Sequence, residues 1–300
     1  MKAIVTGARG FVGRYLTEHL ATKGVDVVSL DVDDQQAVDI TDRDAVVRRI
    51  EQEAPAFVYH LAARSHVGAS WTDELLHDVN VGGTAAVVDA CVAAGVARVL
   101  VVGSAEQYGA VDVDGDAGRL TERTPCRPLS PYGRSKVEAE EVALAAHAAH
   151  GLGVVCTRAF NHTGPGQSPA FLVPGLAARI AAAERDAADE ITLGNGDPVR
   201  DFSDVRDVVR AYVLLAEHGV PGEVYNVCSG RGVRVGDVAE MLVARSSRPL
   251  RIVTATDLVR AVDVPVLVGD NTKLVAATGW QPEHTLDDTL DAVLTDARRR

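Results

Sequence analysis

The chain has 300 residues, of which 47% are hydrophobic and 24% charged, and a net charge of −12. That is enough chain for a sizeable core, and the acidity argues against nucleic acid or an anionic membrane surface as partner. A small phosphorylated substrate stays open, because a pocket can be locally basic. Cys91, Cys126, Cys156 and Cys228 lie at no zinc spacing, so no metal is expected and reduced thiols fit the cytosol. No charged leader or long apolar run is visible, which predicts a cytoplasmic protein without a membrane segment.

Residues 2–5 are a short apolar run and read as a buried parallel strand. Gly7-Ala8-Arg9-Gly10-Phe11-Val12-Gly13 follows and runs into an amphipathic stretch. In a strand–turn–helix unit, Gly7 permits the tight turn and Gly10 lets backbone approach a pyrophosphate. Gly13 lets helix pack on strand, and the helix N-terminus attracts phosphate. This stretch, with Arg9, Phe11 and Val12, is the predicted dinucleotide cradle; the bland alternative is a structural glycine turn. A second strand over 25–30 ends at Asp31. An acid there can take both ribose hydroxyls and favours NAD(H), whereas Arg9 could reach a 2′-phosphate and keeps NADP(H) possible. Asp31 could also be a solvated loop acid. Asp39, ahead of Ile40, meets the adenine edge or caps the next helix, over 42–53. A third strand over 57–61 leads into Leu61, Ala62 and Ala63, where small residues let a cofactor lie close. Residues 71–94 read as mostly helical and include Asn80. A fourth strand over 98–102 ends in Gly103-Ser104-Ala105-Glu106-Gln107-Tyr108-Gly109.

Ser130 suits an N-cap and Pro131 the first helical position. Tyr132 and Lys136 then share one face of the helix. An ammonium beside a phenol favours phenolate and lowers the tyrosine pKa, and such a tyrosine can exchange a proton with a sugar oxygen. Alone the pair is commonplace; behind a cofactor cradle it points to acid–base chemistry. Strand 154–156 continues the alternation, so an α/β doubly wound parallel sheet, Rossmann-like, is predicted. Gly7, Asp31, Ala62, Ser104 and residues 157–163 fall at strand carboxyl ends, where such sheets bind ligands. Beyond residue 160 come a loop over 161–166, an Ala-rich helix, a short strand and turn over 191–196 and a helix over 204–218. A strand over 223–227 returns to the main sheet, and helices near 235–245, 271–277 and 285–299 complete a smaller mixed α/β lobe. The expected division is a cofactor domain over 1–159, with return near 203–227, and a substrate lobe over 160–202 and 228–300.

With Gly7, Gly10, Gly13, Ser104, Tyr132 and Lys136 in order, the chain resembles, end to end, the extended short-chain dehydrogenase/reductases, the NAD-dependent epimerase/dehydratase family. His60-Leu61-Ala62-Ala63-Arg64-Ser65-His66, Phe160-Asn161-His162-Thr163-Gly164-Pro165-Gly166-Gln167 and Arg200-Asp201-Phe202-Ser203-Asp204 look like its GDP-mannose branch. The resemblance implies reduction of the 4-keto group of GDP-4-keto-6-deoxy-D-mannose, to GDP-D-rhamnose or its C4 epimer. Its catalytic set would be Asn80, Ser104, Tyr132 and Lys136. Nicotinamide gives the hydride, Ser104 bonds the carbonyl oxygen, Tyr132 gives the proton, Lys136 holds the ribose and Asn80 positions Lys136. It also places Asn161 and Arg200 near the diphosphate, Arg260 as a second clamp and His66 against the hexose; either arginine could instead be an ordinary ion pair.

Glu106 could serve a dehydratase as base. However, sugar dehydratases of this family typically carry Thr where Ser104 stands, and often a polar residue at Ala105. The alternatives are therefore a 4-epimerase or 4,6-dehydratase that recycles tightly bound NAD, and a non-catalytic nucleotide sensor, which would not need the acid–base set. A homodimer through segments 71–94 and 131–150 is expected by the same resemblance.

Overall fold

The structure is a computed structural model that describes residues 1–34, 37–110, 118–255 and 264–300. Arg260 therefore lies outside the described residues. The first half alternates β1 (Lys2–Thr6), α1 (Phe11–Thr22), β2 (Asp26–Leu30), α2 (Arg43–Glu53), β3 (Phe57–His60), α3 (Gly83–Ala93), β4 (Arg98–Ser104), α4 (Pro131–His150) and β5 (Gly153–Ala159). The second half brings β6 (Asn161–Thr163), α5 (Leu172–Asp186), β7 (Glu190–Leu193), β8 (Val199–Asp204), α6 (Val205–His218) and β9 (Val224–Val227). It ends with β10 (Gly232–Arg234), α7 (Val235–Val243), β11 (Arg251–Thr254), β12 (Val266–Leu267), α8 (Thr272–Thr278) and α9 (Leu286–Arg299).

Six parallel strands form the main sheet in the order β2-β1-β3-β4-β5-β9. The order reverses between β1 and β3, which opens a crevice at their carboxyl ends. Both faces are covered, so the strands are near-continuous apolar runs. Leu16 and Leu20 of α1 and Val208 and Tyr212 of α6 pack on one face. Val46 and Ile50 of α2, Val87 and Cys91 of α3 and Ala143 of α4 pack on the other. This is the predicted doubly wound sheet, and residues 223–227 do return to its edge, with Cys156 opposite Val224.

A second apolar cluster gathers Leu176 and Ile180 of α5, Val238 and Leu242 of α7 and Leu290 and Leu294 of α9. Beside it lie the small sheet β10-β8-β12, to which β6 is joined through β8, and the β11-β7 pair. Two expectations need correction. Residues 161–166 are not all loop: Asn161–Thr163 is a strand, with Asn161 opposite Phe202. Three polar residues show no alternation from which a strand could be predicted. Segment 71–94 is also less helical than predicted. Ala69–Trp71 is a 3-10 turn, Asp78–Gly82 a π turn, and the regular α-helix begins at Gly83. The Thr84 hydroxyl donates to the Asn80 carbonyl at 2.6 Å, which engages a backbone acceptor inside that irregular turn. No helix among the described residues is long and apolar enough to cross a membrane. No group of three or more metal-ligating side chains is found among them either.

Candidate active site

A cleft of about 830 Å³ opens at the β1–β3 crevice. Its floor is the glycine turn. Gly7 has φ +66°, and a Cβ there would stand 2.8 Å from the Ala62 amide nitrogen. A Cβ on Gly13 would meet the Gly7 carbonyl at 2.1 Å, so this glycine packs the helix onto its own turn. α1 starts at Gly10 with no side-chain cap and no acid in its first turn. Its first N–H groups thus face the cleft as anion donors.

Thr6, at the end of β1, ties this floor to β3. Its hydroxyl oxygen accepts from the amides of Leu61 and Ala62, both at 3.1 Å, and lies 2.8 Å from His60 Nδ1. His60 Nε2 lies 3.0 Å from the Thr84 hydroxyl, whose proton goes to Asn80. The pattern closes only if His60 is neutral, accepting from Thr6 at Nδ1 and donating to Thr84 from Nε2. Burial, with Lys136 nearby, lowers its pKa to about 3.

At the adenosine end, Asp31 accepts from the backbone amides of Arg9 (2.9 Å) and Asp33 (3.2 Å). The Arg9 guanidinium is exposed but tethered. Its Nε donates to Asp34 at 2.6 Å, and Asp34 also accepts from Ser29. Asp39 and Ile40 line the cleft. Asp39 accepts from Thr41, and the helix cap is Asp42.

At the other end stand Ser104, Tyr132 and Lys136, with Glu106 beside them. Ser130 caps α4 by accepting from the Gly133 amide at 3.0 Å, and Pro131 holds the first turn. This aims Tyr132 and Lys136 at the end of β4, where Lys136 Nζ donates to the Val102 carbonyl at 2.8 Å. Burial pushes the Tyr132 phenol up to about 12; Ser104 pulls the other way, and Glu106 adds to the rise. The expected lowering by Lys136 is therefore not what the structure shows. Lys136 is itself buried and lowered to about 8, because desolvation disfavours both charged forms.

Other predicted positions divide. Arg9, Gly10, Phe11, Val12, Leu61, Ala62, Ala63, His66 and Asn161 all line the cleft. Asn80 does not. It accepts from the Arg64 amide at 2.8 Å and donates to Ser135 Oγ at 2.9 Å, so it grips the residue beside Lys136. Arg200 does not line it either. It is buried on β8 and donates to the Val199 carbonyl at 2.9 Å, whereas Phe202, two residues on, does reach the cleft. His66 Nδ1 accepts from the Ala69 amide, and its ring tilts against Phe171. Sequence reasoning missed Phe160, His162, Gln167 and Phe171 on the wall, and His60 and Gln107 behind it. The stacking of Phe11 on His162, 6.4 Å apart and nearly parallel, joins the glycine turn to the 160–167 segment.

The family model described as NAD dependent epimerase/dehydratase matches residues 3–228. GDP-6-deoxy-D-mannose reductase of Pseudomonas aeruginosa is 33% identical, covering 100% of this chain and 98% of that protein. dTDP-glucose 4,6-dehydratase of Streptomyces griseus is 32% identical, covering 97% of this chain and 92% of that one. Among solved structures, RMD from Pseudomonas aeruginosa complexed with NADPH matches with a TM-score of 0.89 at 33% identity. It covers 100% of this chain and 99% of its own.

Proposed function

The chain belongs to the NAD dependent epimerase/dehydratase family and is an NAD(P)-dependent enzyme of nucleotide sugars; from that premise we propose that it reduces the 4-keto group of GDP-4-keto-6-deoxy-D-mannose, to GDP-D-rhamnose or its C4 epimer. The observation that carries the reading is the convergence of Ser104, Tyr132 and Lys136 at one end of a cleft floored by a glycine cradle.

That cradle fits a dinucleotide: at Gly7 and Gly13 a Cβ would collide with backbone, and the α1 amides are uncapped. When bound, the dinucleotide supplies the hydride. Asp31 suits the ribose hydroxyls, so NADH is the favoured reductant, while the exposed Arg9 keeps NADPH possible. Ser104 donates to the carbonyl oxygen as negative charge gathers on it. Tyr132 keeps its proton at neutral pH, since its pKa is pushed up to about 12, and releases it to the oxygen as that becomes an alkoxide. Lys136, with a pKa of about 8, is mostly cationic at neutral pH and holds the ribose. Asn80 supports Lys136 through Ser135. His66 and Asn161 face the nucleotide sugar. Arg200 sits off the cleft wall, and its expected role at the diphosphate is not part of this reading.

A second reading is a 4,6-dehydratase, with Glu106, which lines the cleft beside Tyr132, as base, or a 4-epimerase, which needs only Ser104 and Tyr132; both recycle bound NAD. The cofactor domain over 1–159 with its return, the sugar lobe, a cytoplasmic location and a homodimer belong to the proposal. Trp71 and Leu75, 56% and 55% exposed, put apolar surface near the expected pairing segments.

The test is oxidation of NADH or NADPH by the purified protein with GDP-4-keto-6-deoxy-D-mannose. Loss of nicotinamide absorbance is expected, and Tyr132→Phe should slow it by roughly 10²–10⁴-fold. Absence of oxidation with either cofactor, together with dehydrated or epimerised product from an unreduced nucleotide sugar, would move the assignment to the second reading.

A further inference from the structure

Behind Ser104 lies a buried polar chain that the proposed chemistry does not use. Gln107 is fully buried, and Glu140 and Arg158 are each 7% exposed. Gln107 Oε1 accepts from the Ser104 amide at 2.8 Å, and its Nε2 donates to Glu140 Oε2 at 2.9 Å. Arg158 holds the same carboxylate from the far side, through Nη2 to Oε1 at 2.7 Å and Nε to Oε2 at 3.0 Å. Its guanidinium also lies over the Tyr108 ring, 4.9 Å from the centroid.

A buried ion pair is weak evidence for stability, because desolvation offsets its attraction. What this pair does accomplish is orientation. A carboxylate only accepts, so Glu140 compels the Gln107 amide to present its NH₂ to Glu140 and its oxygen to Ser104. The reverse orientation would set oxygen against carboxylate and NH₂ against N–H. Space is equally tight. A Cβ on Gly103 would stand 2.4 Å from Gln107 Oε1 and 2.4 Å from the Thr157 carbonyl. Ser104 and Gln107 also form a capping box on the 3-10 turn Ala105–Gln107, in which the Ser104 hydroxyl oxygen accepts from the Glu106 amide at 3.2 Å. With its oxygen engaged by backbone N–H, the hydroxyl keeps its proton free to donate in the cleft that Tyr132 also lines.

We infer that Gln107, oriented by the Glu140–Arg158 pair, is the positioning residue that holds the Ser104 hydroxyl against Tyr132. The inference rests on the proposed role of Ser104 in catalysis. A displacement of about 1 Å can cost on the order of 10²-fold in rate, so Gln107→Met, which keeps the shape without the hydrogen bonds, should lower kcat roughly 10- to 100-fold. KM and the cofactor Kd should stay within about threefold, because Gln107 touches neither ligand. Glu140→Gln should act on the same step, and the double variant should be no slower than the slower single one.

The deciding measurement repeats Gln107→Met in a Ser104→Ala background. If Gln107 acts through the Ser104 hydroxyl, it has no further effect there. An equal fall of kcat in both backgrounds would overturn the inference. So would a loss confined to cofactor binding or to thermal stability. If Ser104→Ala alone leaves the rate unchanged, it is the reading of Ser104 as catalytic that fails. Should Glu140→Gln not fold, Gln107→Met still decides the matter.

Discussion

His60 shows how much one buried side chain can carry. It is held neutral between Thr6 and Thr84, and its pKa is lowered to about 3 by burial and by Lys136. In the unfolded chain it titrates near 6.5. Between those values the unfolded state binds a proton that the native state refuses, so stability falls as pH drops below about 6.5. The slope from this group approaches about 1.4 kcal/mol per pH unit. Urea midpoints measured from pH 7.5 to 5 should show that decline, and His60→Gln, which cannot titrate, should flatten it. An unchanged slope in the variant would mean that other groups set the acid limb. Lys136 acts in the same direction at higher pH. Its native pKa of about 8 is below the unfolded value, so its burial cost eases as pH rises from about 8 to 10.5. The reaction reads this group in reverse: as Lys136 loses its charge above pH 8, activity should fall, while the Tyr132 proton is still in place.

At the scale of elements, the glycine turn over residues 7–13 is a backbone construction, and its glycines tolerate far less than a glycine elsewhere in the chain. A Cβ on Gly13 would lie 2.1 Å from the Gly7 carbonyl, whereas one on Gly82 would meet nothing within 4 Å. Gly13→Ala should therefore cost about 1–3 kcal/mol and abolish NADH binding, as read by fluorescence titration. Gly82→Ala should be neutral, or stabilising by up to about 1 kcal/mol. This turn was legible in the sequence because its function depends on local spacing, as was the α4 start at Ser130 and Pro131. β6, β8, β10 and β12 were not legible. They are short, and their hydrogen bonds run to partners distant in sequence, so no local period marks them. Gln107 escaped for another reason. A polar residue reads as solvated until the fold buries it, and the pairing of Gln107 with Glu140 exists only once β4 and α4 are packed.

For the whole molecule, the cleft needs both halves of the chain. Tyr15 of α1 donates to the Pro165 carbonyl at 2.8 Å, and the Gly166 amide donates to Asp296 of α9 at 2.9 Å. These contacts join the cofactor cradle to the carboxyl-terminal helices. They also set the question that separates the two readings, which is whether the dinucleotide leaves. A reductase consumes one hydride per turnover, so its oxidised cofactor must depart each cycle. An epimerase or dehydratase returns the hydride to the sugar and gains nothing from release. The reductase reading therefore predicts protein that dialyses free of nicotinamide and then gains stability with added NADH by mass action, about 2.7 kcal/mol at a hundredfold excess over Kd. Denaturation midpoints across an NADH titration, beside cofactor content before and after dialysis, measure both quantities. Cofactor that survives dialysis, with a midpoint indifferent to added NADH, would instead favour an enzyme that recycles its hydride, and Glu106→Gln would then separate a dehydratase, which needs a base for the C5 proton and should lose activity, from an epimerase, which should keep it.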